Sequence, residues 1–360
     1  GWHPFPAPLA IASQPYQGRS GCAQCGFCYA FGCEVRAKSS SLVTVIPRAV
    51  ATGRCEVRTE SYARKIETNA RGRVTGVNYF DAARKEVFQR AKAVVVCANG
   101  AETPRLLLNS KSKLFPQGLA NSSGVVGTHL MFNGAGSAWG IFDHEVNGYK
   151  GLVATRVVWD LYEVDPKLGF IGGGGFDFRL DMAPIAFANM AIPPDVPRWG
   201  AAFKRHLAHA YTRQVGCLGH TSSLPVPTNS ISLDPEAKDG WGVPAIRMTY
   251  QDHPQDLALY KYFAERSEDL LKAAGATKTW QDPAVSQDFS VQLLGTCRMG
   301  NDPRTSVVDR FNRSHDVRNL FIVDGSSFVT GGRGQPTMTI QALAFRAGEN
   351  IARFARRGEI

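Results

Sequence analysis

The 360-residue sequence lacks the features that mark membrane, secreted and repeat proteins. It has no uninterrupted apolar run of membrane-spanning length, so we expect no transmembrane segment. Its first ten residues lack the charged-then-apolar order of a signal peptide, and no internal repeat or low-complexity tail follows. With 44% hydrophobic residues the composition is that of a globular protein, and the length suits two domains.

The sequence also lacks the G-x-G-x-x-G fingerprint that binds the pyrophosphate of a dinucleotide at a strand–helix turn. The glycine run Gly172 to Gly175 has neither the spacing nor the flanking elements of that fingerprint. If the protein binds a dinucleotide, we therefore expect another chain to supply the pyrophosphate half-site, or the sequence to be a fragment.

A concentrated basic motif is absent too, although the formal net charge is +10. The Lys and Arg residues are scattered along the chain and are not interleaved with aromatic residues, which argues against nucleic-acid binding. We expect a basic solvated surface, or a face that suits an acidic partner.

Half of the eight cysteines lie within twelve residues, spaced C-x2-C-x2-C-x4-C. They are Cys22, Cys25, Cys28 and Cys33. The bacterial iron–sulfur run C-x2-C-x2-C-x3-C-P differs only in the last gap and the missing proline, so the spacing favours an iron–sulfur cluster. Zinc and two disulfides stay open as alternatives. The other cysteines are isolated and are interpreted as small buried apolar side chains.

Two strand–turn–helix patterns predict a cofactor site. The apolar strand from Leu320 to Val323 runs into Asp324, and Pro336 then opens a helix after a glycine-rich loop. The strand from Ala93 to Cys97 likewise leads to a turn before a helix that begins at Thr103-Pro104. In open α/β sheets ligands bind at the carboxyl ends of strands, close to helix N-termini.

Shorter patterns predict the remaining elements. Helices are expected over 37–51, 199–212 and 256–274, and strands over 55–59, 62–68, 74–80, 86–90, 230–233 and 245–250. Glycine-broken apolar stretches beyond residue 134 indicate an antiparallel sheet.

Three ordered motifs in the last seventy residues resemble the flavin-binding segment of the glucose–methanol–choline (GMC) oxidoreductases. Members carry a GT-x-R/x-MG turn, an NL-aliphatic-VDGS strand and a G-x-N-P-x-x-T helix start over the flavin ring. Here these read Gly295 to Gly300, Asn319 to Ser326 and Gly334 to Thr339. The resemblance implies an α/β fold: an incomplete FAD-binding Rossmann-like domain plus an antiparallel-sheet α+β substrate domain.

The same resemblance implies domain limits and cofactor contacts. The FAD-binding domain would comprise residues 1–128, with the cysteine loop 20–36, and residues 291–360; the substrate domain would comprise 129–290. The implied FAD contacts are Val57, Cys97, Ala98, Gly100, Thr103, Asp324, Gly325, Gln335, Pro336, Thr337 and Thr339.

The positions that the family uses for catalysis carry unusual residues here. Its histidine before the GT turn and its asparagine or second histidine before the proline fall on Gln292 and Gln335. Glutamine forms hydrogen bonds but does not accept a proton at ordinary pH. We therefore expect the two glutamines to orient a hydroxyl while a histidine acts as base, His220 first, with His129 and His253 behind it. A proton that leaves through water or a base from a partner chain are the alternatives.

Taken together, the resemblance implies an FAD-dependent dehydrogenase for a sugar or glycoside hydroxyl, similar to bacterial sugar dehydrogenases whose cysteine loop holds a [3Fe–4S] cluster. The additional Cys25 leaves [4Fe–4S] open. A small partner subunit, a heme electron acceptor and export to the periplasm with that partner are implied in the same way. The alternatives are a GMC alcohol or sterol oxidase with a structural cysteine loop, and a non-catalytic flavin or electron-transfer subunit.

Overall fold

The fold is taken from a computed structural model that describes residues 1–29, 31–180, 182–286 and 291–360. The predicted domain limit at residue 290 lies outside the described residues. The strands are β1 Phe5–Pro6, β2 Tyr62–Thr68, β3 Val74–Phe80, β4 Glu86–Arg90, β5 Val94–Val96, β6 Gly134–Ile141, β7 Arg156–Val158, β8 Gly174–Arg179, β9 Gln214–Thr221, β10 Ser230–Lys238, β11 Pro244–Thr249, β12 Lys278–Gln281 and β13 Leu320–Ile322. The α-helices are α1 Val45–Ala51, α2 Asn99–Asn109, α3 Pro184–Met190, α4 Gly200–Ala210, α5 Pro254–Ala273 and α6 Thr337–Arg356.

Contacts divide the chain into two compact units. The first comprises Gly1–Val57, Ala135–Thr221 and Leu257–Val285, and the second comprises Arg58–Gly134, Ser222–Asp256 and Ser286–Ile360. The first 57 residues therefore belong to the same unit as residues 135–221 and 257–285. The domain limits expected from the family resemblance stay a prediction.

The first unit is built on a six-stranded sheet in the order β1-β7-β8-β9-β6-β12. The pairs β1–β7, β7–β8, β8–β9 and β6–β12 are antiparallel, as predicted from the glycine-broken apolar stretches. One face of β8 and β9 packs on α5, where Phe176 stacks on Phe263 at 4.8 Å between ring centroids. Gly219 gives the room for this packing, because a Cβ there would lie 2.9 Å from the Phe263 ring.

The second unit contains a parallel pair, β5 and β13, in which Leu320 is opposite Val94. An antiparallel sheet β2-β3-β4 and a hairpin β10-β11 accompany it. Val96, Leu320 and Ile322 are buried in one core cluster with Leu107 of α2. On the other side, Phe321 stacks on Phe354 of α6. Each strand of the parallel pair is thus followed by a turn and a helix, as predicted. The predicted start of the first helix at Thr103-Pro104 was wrong, since α2 begins at Asn99 and contains Pro104.

Local patterns fixed some element bounds and missed others. The strands β2, β3 and β4 have the predicted limits. The predicted helix over 37–51 was wrong in its first half, since α1 begins at Val45. Pro47 lies in the first turn of α1, where its missing N–H breaks no helical hydrogen bond; a longer helix would place it in the interior.

The strand predicted over 55–59 was also wrong, because no neighbouring strand pairs with those residues in the described part of the chain. Strand β10 continues through Asp234 and Pro235 to Lys238, with a register shift after Leu233 that accommodates the proline. None of the helices in the described ranges is both long and apolar enough to cross a bilayer.

Candidate active site

The carboxyl ends of β5 and β13 meet at Asp324, which is 9% exposed. Its Oδ2 accepts hydrogen bonds from Thr103 Oγ1 at 2.6 Å and from Asn99 N at 3.2 Å, both in α2. Its Oδ1 accepts from Ser326 N at 2.8 Å. Asp324 therefore fixes the start of α2 to the turn after β13, so the two predicted strand–turn–helix patterns form one structure.

The GT turn lies against the turn that follows β13. Gly295 N donates to Gly325 O at 3.1 Å, and Cys297 N donates to Ser326 O at 2.7 Å. A Cβ at Gly295 would lie 2.3 Å from His129 O, and the residue has a φ of 90°, so glycine is required there for both space and conformation. Two of the three family motifs are thereby brought into direct backbone contact.

The same turn completes helix α2. Pro104 lies inside this helix and has no N–H, so the helical hydrogen bond to Gly100 O cannot form. Thr296 Oγ1 donates to Gly100 O at 2.7 Å instead, and Thr296 is fully buried. The threonine of the GT turn thus satisfies a carbonyl that the proline leaves without its helical partner.

Gln292 and Gln335, the predicted catalytic positions, are hydrogen-bonded to each other, with Gln292 Nε2 donating to Gln335 Oε1. Gln292 has a φ of 65°. Its Oε1 is buried and accepts no hydrogen bond from the described residues. The pair therefore leaves a buried acceptor that a ligand donor would complete.

The predicted cofactor residues fall into three settings. Gly100, Thr103, Asp324, Gly325 and Pro336 are buried, Ala98 is half-buried, and Cys97, Gln335, Thr337 and Thr339 are exposed. All of these belong to the second unit. Val57 is 52% exposed and belongs to the first. Although Cys97 is exposed as a whole residue, desolvation of its sulfur raises the pKa of the thiol to about 11, and the charge of Asp324 adds to that effect.

Cys28 is the cysteine of the loop whose thiol is affected by the charges of the other three. Burial raises the pKa of the Cys28 thiol, and Cys22, Cys25 and Cys33 raise it further against the opposing charge of Lys38. Backbone N–H groups, that of Lys38 first, lower the pKa of Cys33. Lys38 Nζ also donates to Cys28 O at 2.6 Å.

All eight cysteines are described, and none of them forms a disulfide. Within the described ranges, no three His, Cys, Asp or Glu side chains are grouped as a metal-ligand set. Thiols are the ligands that an iron–sulfur cluster requires. In this structure, however, the four sulfur atoms are not grouped closely enough to form a metal-ligand set.

The three candidate histidines have different surroundings. His220, on β9, has its Nε2 2.9 Å from Asp177 Oδ2. His129 has a φ of 60°, its Nδ1 is 2.8 Å from Thr128 Oγ1, and burial lowers its pKa, aided by the charge of Arg298. His253 Nδ1 accepts from Gln255 N at the start of α5, which is a structural role. His129 belongs to the unit that holds the glutamines, and His220 to the other.

Sequence reasoning missed the partners of His220. Asp177 and Arg179 form an ion pair, with Arg179 Nε donating to Asp177 Oδ1 at 2.7 Å. Burial raises the pKa of Asp177, but its bonds to His220 and Arg179 outweigh that effect and hold the pKa below its usual range. The alternation of Phe176, Asp177, Phe178 and Arg179 was the available signal, since it predicts a strand with one apolar and one charged face.

Comparison with known proteins gives matches over nearly the whole chain. The N-terminal and C-terminal profiles of the GMC oxidoreductases match residues 11–130 and 225–344. The 2-methyl-1,2-propanediol dehydrogenase of Mycolicibacterium austroafricanum is 36% identical over 358 residues, covering 98% of this chain and 64% of that protein. The fructose dehydrogenase large subunit of Gluconobacter japonicus is 28% identical, covering 99% of this chain and 64% of that one.

Among solved structures, formate oxidase of Aspergillus oryzae superposes with a TM-score of 0.64 at 14% identity, covering 89% of this chain and 64% of the other. The chain thus spans less than two thirds of the length of these relatives. The expected fold class, α/β with antiparallel sheets in a GMC fold, is confirmed. Its two profile matches and the contacts between its motifs make this chain a member of the GMC oxidoreductase family.

Proposed function

We propose that this chain is the main part of an FAD-dependent dehydrogenase that oxidises a hydroxyl of a sugar or glycoside. The observation that carries the proposal is the convergence, in one unit, of the GT turn, the turn after β13 and the two glutamines. The FAD ring would lie at that turn and at the start of α6. FAD, when bound, supplies the acceptor for the hydride that leaves the carbinol carbon.

The described residues fit the flavin. Helix α6 is 20 residues long, and its first turn exposes Thr337 and Thr339 beside backbone N–H groups that a helix leaves without partners. In the loop before it, a Cβ at Gly332 or Gly334 would meet no atom within 4 Å. Gln292 Oε1 is buried and accepts no hydrogen bond within the described ranges, so open space and hydrogen-bonding groups occur together here.

A substrate hydroxyl would be oriented by the glutamine pair and would lose its proton to a histidine. Gln292 and Gln335 cannot hold that proton, so the base must be another group. We keep His220 as the first candidate, because its Nε2 lies 2.9 Å from Asp177 Oδ2, a contact that orients the ring. His129 is the second, because its lowered pKa keeps it neutral and able to accept a proton at neutral pH.

His220→Gln and His129→Gln, assayed over pH 5 to 9, separate the two candidates. Loss of the base should lower kcat by about 100-fold or more and remove the acid limb of the pH profile. The other variant serves as the control. If both variants keep the wild-type profile, the proton leaves by another route.

The similarity to the fructose dehydrogenase large subunit supports a carbohydrate substrate. A second candidate substrate, a small aliphatic diol, is favoured by the 36% identity to the propanediol dehydrogenase. Anaerobic addition of D-glucose, D-fructose, methyl α-D-glucopyranoside and 1,2-propanediol should bleach the flavin absorbance with the carbohydrates. Bleaching by the diol alone would favour the second candidate, and no bleaching at all would indicate a non-catalytic subunit.

We also propose that the cysteine loop holds an iron–sulfur cluster, [4Fe–4S] or [3Fe–4S]. Four unpaired thiols, N–H groups directed at the sulfurs of Cys22 and Cys33, and the nearby Lys38 support it. A cluster, when bound, accepts single electrons, which suits a heme protein or quinone as acceptor. Iron and acid-labile sulfide in the purified protein test this; zinc, or no metal, would leave the oxidase with a structural loop as the alternative.

Partners and location follow from the same proposal. One relative is named as a large subunit, which supports a small partner subunit and a separate electron acceptor. A chain that supplies the pyrophosphate half-site, or a longer form of this one, would complete FAD binding. Export to the periplasm with the partner subunit is proposed with these, and co-purification from the periplasmic fraction tests it.

A further inference from the structure

Strands β8 and β9 carry a polar face on the side opposite α5. Cα partners of an antiparallel pair point to the same side, and the register pairs Gly175 with His220, Asp177 with Leu218, and Arg179 with Gly216. The polar face is defined by Asp177, Arg179 and His220. Phe176 and Cys217 point the other way, into the core with α5.

The indole of Trp159 lies on this polar face. A Cβ at Gly175 would lie 2.5 Å from Trp159 Cδ1, so the glycine is what allows the ring to cover that position. Gly175 is the cross-strand partner of His220. A Cβ at Gly175 would therefore lie about 5 Å from the Cβ of His220. The indole and the imidazole are therefore neighbours.

Neighbouring aromatic rings contact the indole of Trp159, and part of the residue remains exposed to solvent. Phe5 contacts its ring edge-on, with centroids 5.1 Å apart at 85°, and Tyr162 lies 6.1 Å away. The residue is nevertheless 47% exposed. A ring fixed by three neighbours with nearly half its surface open is preorganised, because a ligand that stacks on it orders no side chain.

We infer that Trp159 is the platform on which the sugar ring of the substrate stacks, next to His220. The apolar C–H face of a pyranose matches an indole. Beside the indole, the side chains of Arg179 and His220 are 16% and 17% exposed and match the hydroxyls, whereas buried Asp177 contacts and orients both of them. The inference rests on the proposed function for the substrate class. It assigns Trp159 to the recognition of a ring and not to the chemistry of oxidation.

The test uses the holoenzyme with Trp159→Ala, Trp159→Phe and Gly175→Ala. Methyl α-D-glucopyranoside and D-glucose are the ring probes, and 1,2-propanediol is the probe without a ring. Binding is measured by saturation-transfer NMR and intrinsic fluorescence, and KM and kcat are measured separately. Trp199→Ala is the matched control, since Trp199 is 83% exposed in the same unit and lies outside the polar face.

Trp159→Ala should raise Kd and KM for the ring probes by about 10-fold or more and leave KM for the diol unchanged. Trp159→Phe should restore most of the binding, and Gly175→Ala should copy the loss by displacing the indole. Trp199→Ala should bind as wild type.

Unchanged ring binding in Trp159→Ala would overturn the inference while carbohydrate oxidation by the wild type still supported the proposed function. Ring binding that depends on Trp159 in an enzyme that oxidises no carbohydrate would keep Trp159 as a ring-binding residue, but it would overturn the assignment of that ring to the substrate and reject the proposed function. A wild type that neither binds nor oxidises a ring probe would overturn both.

Discussion

At the scale of single residues, the hydroxyl of Thr296 supplies a hydrogen bond that the backbone of helix α2 cannot form. It donates to Gly100 O, the carbonyl that Pro104 leaves without a helical partner. The bond joins residues 196 positions apart and lies in a fully buried place. A buried carbonyl without a partner costs the full desolvation of that group, which is more than the net gain of an ordinary hydrogen bond.

Thr296→Val should therefore lower the free energy of unfolding by about 1–3 kcal/mol at nearly constant side-chain volume. Urea denaturation followed by circular dichroism measures the change. Thr305→Val is the control, since Thr305 is exposed and its Oγ1 is 3.4 Å from Asp302 O; its effect should stay within about 0.5 kcal/mol. Equal effects of the two substitutions would contradict the account.

Asp256 is a second residue whose surroundings predict a measurable effect. It is 3% exposed in the first turn of α5. Burial raises its pKa to about 6, helped by the charge of Asp252 and opposed by its bond from Leu224 N. The folded state then binds a proton that the unfolded state releases between about pH 4 and 6, so the ionised form costs stability above pH 6.

Asp256→Asn should remove that cost, since an amide stays neutral and can still accept from Leu224 N. We expect the stability difference between the variant and wild type to grow in favour of the variant as the pH rises from 4.5 to 7.5. The growth should be on the order of 1–3 kcal/mol. Chemical denaturation at the two pH values measures the difference. Asp302→Asn should show no such gain, because Arg304 holds the pKa of exposed Asp302 down at about 2. A pH-independent difference for Asp256→Asn would contradict the assignment.

At the scale of elements, the β10–β11 hairpin is attached to α2 and β2 by the residues of its turn. Asp239 Oδ2 accepts from Arg105 Nη2 and from Tyr62 OH, each at 2.7 Å. Trp241 of the same turn stacks on Tyr62 at 5.5 Å between centroids and carries Arg84 over its ring. Burial raises the pKa of Asp239, but the bonds from Tyr62 and Arg105 outweigh that and bring it to about 2.

Asp239→Ala should loosen the hairpin and lower the free energy of unfolding by about 1–3 kcal/mol, because buried Arg105 loses its shortest ion-pair partner while keeping Glu102. Amide hydrogen exchange in β10 and β11 should accelerate more than in β2 to β4. Glu236→Ala, an exposed acidic change in the same hairpin, is the control. Uniform acceleration throughout the unit would contradict a local attachment.

At the scale of the whole molecule, the formal net charge of +10 favours encounters with anionic partners. If the reduced enzyme passes electrons to an acidic protein or a small anion, the association rate should depend on salt, since the Debye length is about 10 Å at 0.1 M. The reoxidation rate with ferricyanide should fall several-fold between about 10 mM and 300 mM ionic strength. With an uncharged quinone it should stay nearly constant, and equal salt dependence of the two acceptors would reject electrostatic steering.

Features that depend on near neighbours in the chain could be predicted from the amino-acid sequence alone. Alternating residues around Arg71-Gly72 set the limits of β2 and β3, and short apolar runs before polar turns located β5 and β13. The family motifs and the four cysteines of the loop are also short-range features, because their residues lie close together in the sequence. Periodicity and turn residues act within a few positions, so they can be read without knowing the rest of the fold.

Contacts between groups that are distant in the sequence became known only from the folded chain. It joined Thr296 to Gly100 and His220 to Asp177, and it pairs residues 55–59 with no neighbouring strand in the part of the chain that the structure describes. It also placed the Trp159 indole over Gly175. A hydrogen bond, a paired strand or a stacked ring needs a second group brought near by folding of the whole chain, and no local pattern names that group.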